Sequence, residues 1–320
     1  MDTLLLTSND LAGLLDMKEV IGVVEQSFKD YATGKAQMPS KVYLRVEKGD
    51  FRAMPGAVPG AVGMKWVNVH PLNRNLGLPT VMGIILYSDP HSGYPLAIMD
   101  AADITAYRTA ATSAIASKYL ARPESRSLGL IGAGRQAHMH LLSHAAIFTL
   151  DAVKVYDVRP EAAEAFVRHF PQFNVKSTSA EEALASDIVC TLTPATAPVV
   201  KASWVKPGTH INAVGADAPG KEELEPGILN RARVVVDDVA QACHAGEINM
   251  PVRQGLFRKE QIWASLGEIV AGARPGRPDA QTVTVFDSTG LAIEDVAAAR
   301  LVYEKARKRG GYLSVDLIGA

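Results

Sequence analysis

The run Leu128-Gly129-Leu130-Ile131-Gly132-Ala133-Gly134-Arg135-Gln136-Ala137 constrains the fold more than any other part of this chain. Its apolar first half reads as a strand buried on both faces, and it passes directly into G-x-G-x-x-A. Gly132 permits a tight turn, Gly134 lets the backbone approach a pyrophosphate, and Ala137 lets the following helix pack closely on the strand. The N-terminus of that helix offers free N–H groups and a partial positive charge to phosphates. The next apolar segment ends in Tyr156-Asp157, roughly where an acidic residue binds a ribose 2′-hydroxyl in dinucleotide sites. Asp157 favours NAD, because a carboxylate there repels a 2′-phosphate. Arg159 leaves NADP open, since an arginine accommodates that phosphate.

The surrounding pattern supports a parallel sheet. Strands are expected at Leu128–Ile131, Val153–Tyr156, Ile188–Leu192, His210–Val214, Val234–Val236 and Val283–Phe286. Helices are expected at Arg135–Phe148, Pro160–Phe170 and Ala180–Ala185 between them. This alternation predicts an α/β, Rossmann-type domain over residues 121–287. Upstream the character differs. Leu4–Leu6 reads as a short strand and Met17 to about Thr33 as a helix. Val42–Val46, Phe51–Met54, Ala61–Val69, Val81–Tyr87 and Pro95–Met99 are short runs separated by Gly, Pro and Asn, which predicts an antiparallel or mixed sheet. Ile104–Leu120 and Glu294–Arg309 read as helices, and Tyr312–Ile318 as a tail able to pair as a strand.

Composition removes several classes. The 320 residues carry 33 Lys plus Arg against 34 Asp plus Glu, so no whole-molecule field draws the chain to nucleic acid or an anionic membrane. The longest apolar runs, such as Val81–Leu86, are too short to span a bilayer. The N-terminal Asp2, Leu4–Leu6, Asp10 order is not that of a signal peptide. Two cysteines, Cys190 and Cys243, in unrelated contexts suit a reducing cytoplasm. No metal site is expected. His70, His138, His140 and His210 lack ligand spacing, and His244 with Glu247 has no evident third ligand. Ser265 and Ser288 lack a G-x-S-x-G setting.

The N-terminal region places cations in apolar surroundings: Lys41, Arg52, Lys65 and Arg108. Buried cations need partners, and a carboxylate substrate gripped by a guanidinium fork is one. A lysine loses proton affinity when desolvated near other cations, so Lys65 is a candidate acid/base group near neutral pH. Asp217, in Gly215-Ala216-Asp217-Ala218-Pro219-Gly220-Lys221, follows an expected parallel strand. Ligands of open α/β sheets bind at the carboxyl ends of strands, so this loop points at the cofactor crevice.

Six segments together resemble the ornithine cyclodeaminase/mu-crystallin family. They are Met64–Asn68, Gly77–Met82, Tyr107–Ala111, Gly132–Ala137, Gly215–Lys221 and Phe286–Gly290. The resemblance runs through the whole chain in order, and within the family it is most similar to the archaeal-type alanine dehydrogenase branch. It implies a substrate and dimerisation domain from residues 1–120 with 288–320, around an inserted NAD-binding domain at 121–287. It implies Lys65 and Asp217 as the catalytic pair, and Lys41, Arg52, Lys65 and Arg108 as the substrate-binding set. Cofactor contacts fall on Arg108, Thr109, Gly132, Gly134, Arg135, Gln136, Ala137, Asp157, Val158, Arg159, Gly215, Ala216, Asp217, Lys221 and Ser288.

One departure separates activities within the family. Where ornithine cyclodeaminases carry a glutamate for the side-chain ammonium, this chain has Arg52, which repels an ammonium and suits a small 2-oxo acid. The expected activity is therefore an NAD-dependent, cytoplasmic, homodimeric amino-acid dehydrogenase that interconverts L-alanine with pyruvate and ammonia. Ornithine cyclodeaminase and ketimine reductase chemistry are the alternatives. A non-catalytic nucleotide-binding role is disfavoured by the intact Lys65 and Asp217.

Overall fold

The computed structural model describes residues 2–319, Arg74 by its backbone alone. The chain divides into two units, one made of residues up to 108 with those from 291 onward, the other of residues 109–290.

In the first unit, strands Val42–Val46, Gly49–Val58, Ala61–Val69, Val81–Ser88 and Pro95–Asp100 form an antiparallel meander. Thr3–Leu6 adds in parallel beside Pro95–Asp100, and Ser314–Val315 pairs antiparallel with Thr3–Leu6. The two chain ends thus share one seven-stranded sheet. Side chains alternate between its faces. Met54, Lys65 and Ile85 sit opposite one another in register and are buried. The helix Ala292–Arg309 packs on this face, and Met17–Ala32 packs on that helix. The core there includes Leu6, Ile85, Met99, Val296 and Val302. Asp16 starts the earlier helix by accepting the Glu19 N–H, which satisfies one of its unpaired donors. The opposite sheet face carries Leu44, Phe51, Trp66 and Ile84 and stays partly exposed.

The second unit holds an eight-stranded, all-parallel sheet. Its order is Ile262–Ser265, Ala232–Val236, Val283–Asp287, His210–Ala213, Ile188–Thr191, Ser127–Ile131, Ala152–Tyr156 and Val175–Ser177. Apolar clusters cover both faces, one around Leu130, Leu141 and Phe166, the other around Ile131, Ile211 and Val285. That double burial explains why these strands are continuously apolar. The fold is α/β with a Rossmann-type parallel sheet, and the first unit is α+β. Strand order reverses between Ser127–Ile131 and Ile188–Thr191, and a crevice opens at the carboxyl ends of strands at such a point.

Several elements differ from expectation. The strand expected at Phe51–Met54 extends over Gly49–Val58, with Pro55 in register opposite Met64. Val175–Ser177, Thr196–Val200, Glu222–Leu224 and Ile262–Ser265 are strands the pattern did not announce, being three to five residues long and partly polar. The unit boundary lies within the helix Ala102–Leu120, after Arg108. Ile104 packs into the core of the first unit, whereas Ser113 and Ser117 bond to His140 and His144 of the second. Among the described residues no helix is long and apolar enough to cross a membrane, and no cluster of three His, Cys, Asp or Glu is placed to hold a metal.

Candidate active site

The cations singled out in the first unit are buried, and the structure supplies partners that the sequence did not reveal. Lys65 is 2% exposed, and its Nζ lies 2.8 Å from Asp295 Oδ1, to which it donates. Arg108 donates through Nε to the same Oδ1 at 2.8 Å and through a terminal nitrogen to Glu294 Oε2 at 3.0 Å. Both acids lie in the first turn of the C-terminal helix and are fully buried. Glu294 also uses Oε1 to accept the Leu291 N–H, closing the start of that helix. Thr105 Oγ1 stands 3.5 Å from Lys65 Nζ.

Proton affinities follow from this arrangement. Burial first, and the positive Arg108 second, push the Lys65 amine down to about 7; Asp295 opposes the fall and Lys41 adds to it. Burial works against the Asp295 carboxylate, yet Arg108 and Lys65 hold it below the ordinary range. Arg108 remains charged because the two acids outweigh its desolvation. The outcome is a buried amine that exchanges its proton near neutrality, the property general acid/base chemistry requires.

Arg52 is 5% exposed, on the same sheet face as Lys65, with Nε 2.7 Å from Asp50 Oδ1 and its guanidinium over the Tyr43 ring. Lys41 is half-buried and close enough for its charge to act on Lys65. Glu294 and Asp295 were absent from the expected set. The signal available was two adjacent acids at the start of the helix, directly before the apolar Val296–Ala299 run, together with the need of each buried cation for an anion.

In the second unit the glycine turn has the expected form. Gly132 has φ of +105° and a Cβ there would meet Leu192 O at 3.0 Å, so the turn requires glycine. Gly134 is the N-cap of Arg135–Ala145 with no side chain capping it, and a Cβ built on it meets nothing within 4 Å. That open approach, over an uncapped helix N-terminus, fits a pyrophosphate. Asp157 accepts the Ala133 N–H at 2.9 Å through Oδ2 and the Arg159 N–H at 2.9 Å through Oδ1. The side chains of Arg135, Val158 and Arg159 are exposed, while Ala137 is buried against the strand. Gln136 Oε1 and Ser288 Oγ are buried with no hydrogen-bond partner among the described residues, polar atoms of the kind a bound ligand satisfies. Thr109 is buried. The residues therefore fit a dinucleotide.

The loop after His210–Ala213 carries Gly215, the buried Ala216, and Asp217. Lys221 Nζ donates to Asp217 Oδ1 and to Gly215 O, which ties the loop into a closed turn. Asp217 belongs to the second unit and Lys65 to the first. Ser265 is a helix cap bonded with Glu268, and Glu247 accepts the backbone N–H groups of Glu223 and Leu224.

The sequence pattern of the ornithine cyclodeaminase/mu-crystallin family matches residues 1–310. The chain is 50% identical over 308 residues to an alanine dehydrogenase of Archaeoglobus fulgidus, covering 96% of each chain. It is 35% identical over 308 residues to an ornithine cyclodeaminase of Brucella melitensis, covering 94% of this chain and 84% of that one. Among solved structures, an archaeal alanine dehydrogenase dimer with bound NAD superposes with a TM-score of 0.98 at 48% identity, over 99% of this chain and 100% of that one. A Δ1-pyrroline-2-carboxylate reductase of Thermococcus litoralis, in complex with NADH and L-proline, superposes at 0.95 with 39% identity, over 98% and 100%. With these matches running the length of the chain and its glycine turn and buried lysine in place, the protein belongs to the ornithine cyclodeaminase/mu-crystallin family.

Proposed function

We propose that this protein is an NAD-dependent amino-acid dehydrogenase that interconverts L-alanine with pyruvate and ammonia. The observation that carries the chemistry is the Lys65 amine, buried, near-neutral in proton affinity and tied through Asp295 to Arg108. The similarity to an archaeal alanine dehydrogenase carries the substrate.

NAD, when bound, supplies the hydride acceptor. The protein's residues do the rest. Arg52, with Lys41 or Arg108, holds the substrate carboxylate by charge-assisted hydrogen bonds. Protonated Lys65 donates from Nζ to the carbonyl or carbinolamine oxygen; in the reverse direction the neutral amine takes that proton back. Asp295 keeps Nζ aimed and charged on demand. Asp217 serves ammonia or water as the second acid/base group. Gly132, Gly134, Gln136, Ala137, Asp157, Arg159, the Gly215–Asp217 loop, Lys221 and Ser288 form the nucleotide site, with Arg108, Thr109, Arg135 and Val158 beside it. Asp157 favours NAD over NADP.

A second reading is reduction of a cyclic imine carboxylate. It needs the same grip on the carboxylate and the same proton donor, and the likeness to a Δ1-pyrroline-2-carboxylate reductase favours it. Ornithine cyclisation is disfavoured by the cationic Arg52. Spectrophotometry separates the three. NADH forms from NAD and L-alanine under the first reading. NADH is consumed by a cyclic imine but not by pyruvate with ammonia under the second. L-ornithine gives L-proline without net NADH under the third. Absence of NADH formation with L-alanine overturns the first reading.

The partner in solution is a second copy. Val42 at 63%, Leu44 at 55% and Ile84 at 48% exposure lie on the uncovered apolar sheet face, an exposed patch of the kind that marks an interface.

A further inference from the structure

Five buried acids in the second unit stand outside the proposed chemistry: Glu222, Glu223, Asp237, Glu247 and Asp287. Three of them form a series at the carboxyl edge of the parallel sheet. Asp287, at the end of its strand, accepts the backbone N–H groups of Glu247 at 2.8 Å and Ile248 at 3.1 Å. Glu247 Oε1 accepts those of Glu223 at 3.0 Å and Leu224 at 2.7 Å. Each carboxylate thus fixes the backbone from which the next one projects. Gly246 is required where Asp287 passes, since a Cβ there would lie 2.5 Å from both its carboxylate oxygens.

The series ends at Glu223, whose carboxylate receives four donors. Oε2 accepts Thr191 Oγ1 at 2.6 Å and the Gly215 N–H at 2.8 Å. Oε1 accepts the Thr193 N–H and its Oγ1–H, both at 2.7 Å. One side chain therefore joins the turns that leave two neighbouring parallel strands, Ile188–Thr191 and His210–Ala213. Gly215 is in such close contact that a Cβ would meet Thr193 O at 2.0 Å and Glu223 Cδ at 2.6 Å. Its φ is not in the left-handed region, so close approach and not backbone conformation requires the glycine. Asp217 lies two residues beyond this fixed point.

We infer that Glu223 is the positioning residue of the acid/base loop: its carboxylate sets where Gly215 sits and thereby where Asp217 is held. This rests on the reading of Asp217 as the second acid/base group. The chemistry demands a carboxylate and not an amide. In Glu223→Gln one oxygen becomes an NH2 donor, which must face either the Thr193 or the Gly215 backbone N–H. Hydroxyls can turn away from it; a backbone N–H cannot.

The test compares wild type with E223Q, the milder double variant T191V/T193V, and D217N. The readouts are kcat, KM for the amino acid, NADH affinity by fluorescence titration, and circular dichroism. Displacement of a reacting group by about 1 Å costs about 10²-fold, so E223Q is expected to lose about that factor in kcat. Its secondary structure should be unchanged and its NADH affinity should fall by a smaller factor than kcat, because the Gly215–Asp217 loop is only one part of the nucleotide site, whereas the glycine turn and Asp157 make no hydrogen bond to Glu223. T191V/T193V, which leaves the carboxylate only backbone donors, is expected to fall between the two and reports on the inference should E223Q not fold. An inactive D217N beside an E223Q or T191V/T193V of wild-type kcat would overturn the positioning role alone. Loss of kcat in strict proportion to lost NADH binding would also overturn it. Wild-type turnover in D217N would overturn the reading on which the inference rests.

Discussion

Replacing Asp295 with Asn tests the electrostatics of the buried lysine. The change is nearly isosteric, so Oδ1 can still accept from Lys65 and Arg108. The new amide stands where Oδ2 lay, 2.8 Å from Lys65 Nζ, and it opposes an ammonium there. Across that distance, an effective dielectric of about 20 gives about 6 kcal/mol of lost attraction, or about four pKa units. Relaxation of the surroundings reduces such effects, and partners at contact distance typically shift a group by about 1–3 units. The Lys65 midpoint should therefore drop from about 7 by about 1–3 units. The pH dependence of kcat/KM for reductive amination reports the free enzyme. In wild type its protonated-lysine limb should decline near 7. In the variant the decline should move to lower pH, with activity at neutral pH reduced accordingly. Breaking one side of a buried ion pair costs about 3–5 kcal/mol, so a lowered Tm is expected alongside. A folded variant whose limb remains near 7, or moves upward, would refute the assignment of that limb to Lys65.

Gly134→Ala should leave Tm unchanged, because a Cβ there meets nothing within 4 Å, yet weaken NADH binding measured by fluorescence; unchanged affinity would remove the turn from the nucleotide site. His210 is held down to about 3 by burial, then by Arg277 and His144, so its folded value lies below its unfolded one. The unfolded chain alone takes up that proton below about pH 6.5, and stability falls as pH falls. Between about pH 7 and about pH 5 this histidine accounts for about 2 kcal/mol. His210→Asn should flatten the urea-unfolding pH dependence by about that amount, and an identical dependence in both proteins would refute it. Ile84→Lys, on the exposed sheet face, should convert a dimer to monomer in sedimentation equilibrium. A dimer of unchanged strength would place the interface elsewhere.

The glycine turn, the strand before it and the acidic residue after the next strand were legible because each is a local pattern whose geometry follows from a few adjacent residues. The helix at 17–32 and the longer antiparallel strands were legible for the same reason: burial on one face leaves a period. The cations Arg52, Lys65 and Arg108 drew attention as charges in apolar settings, so half of the charged cluster was visible. The other half was not. Asp295 pairs with Lys65 across 230 positions, and Glu223 meets Thr191 across 32. Two adjacent acids ahead of an apolar run hint at burial at that helix start, but nothing local says which cation they meet, and nothing local marks an acid on a three-residue strand as buried. The burial of Gly215 against a carboxylate was equally silent. Local sequence chose the elements, since propensity and periodicity act over a few residues. Only chain closure decided which buried charge meets which, because desolvation and Coulomb energy depend on neighbours that the tertiary fold brings in.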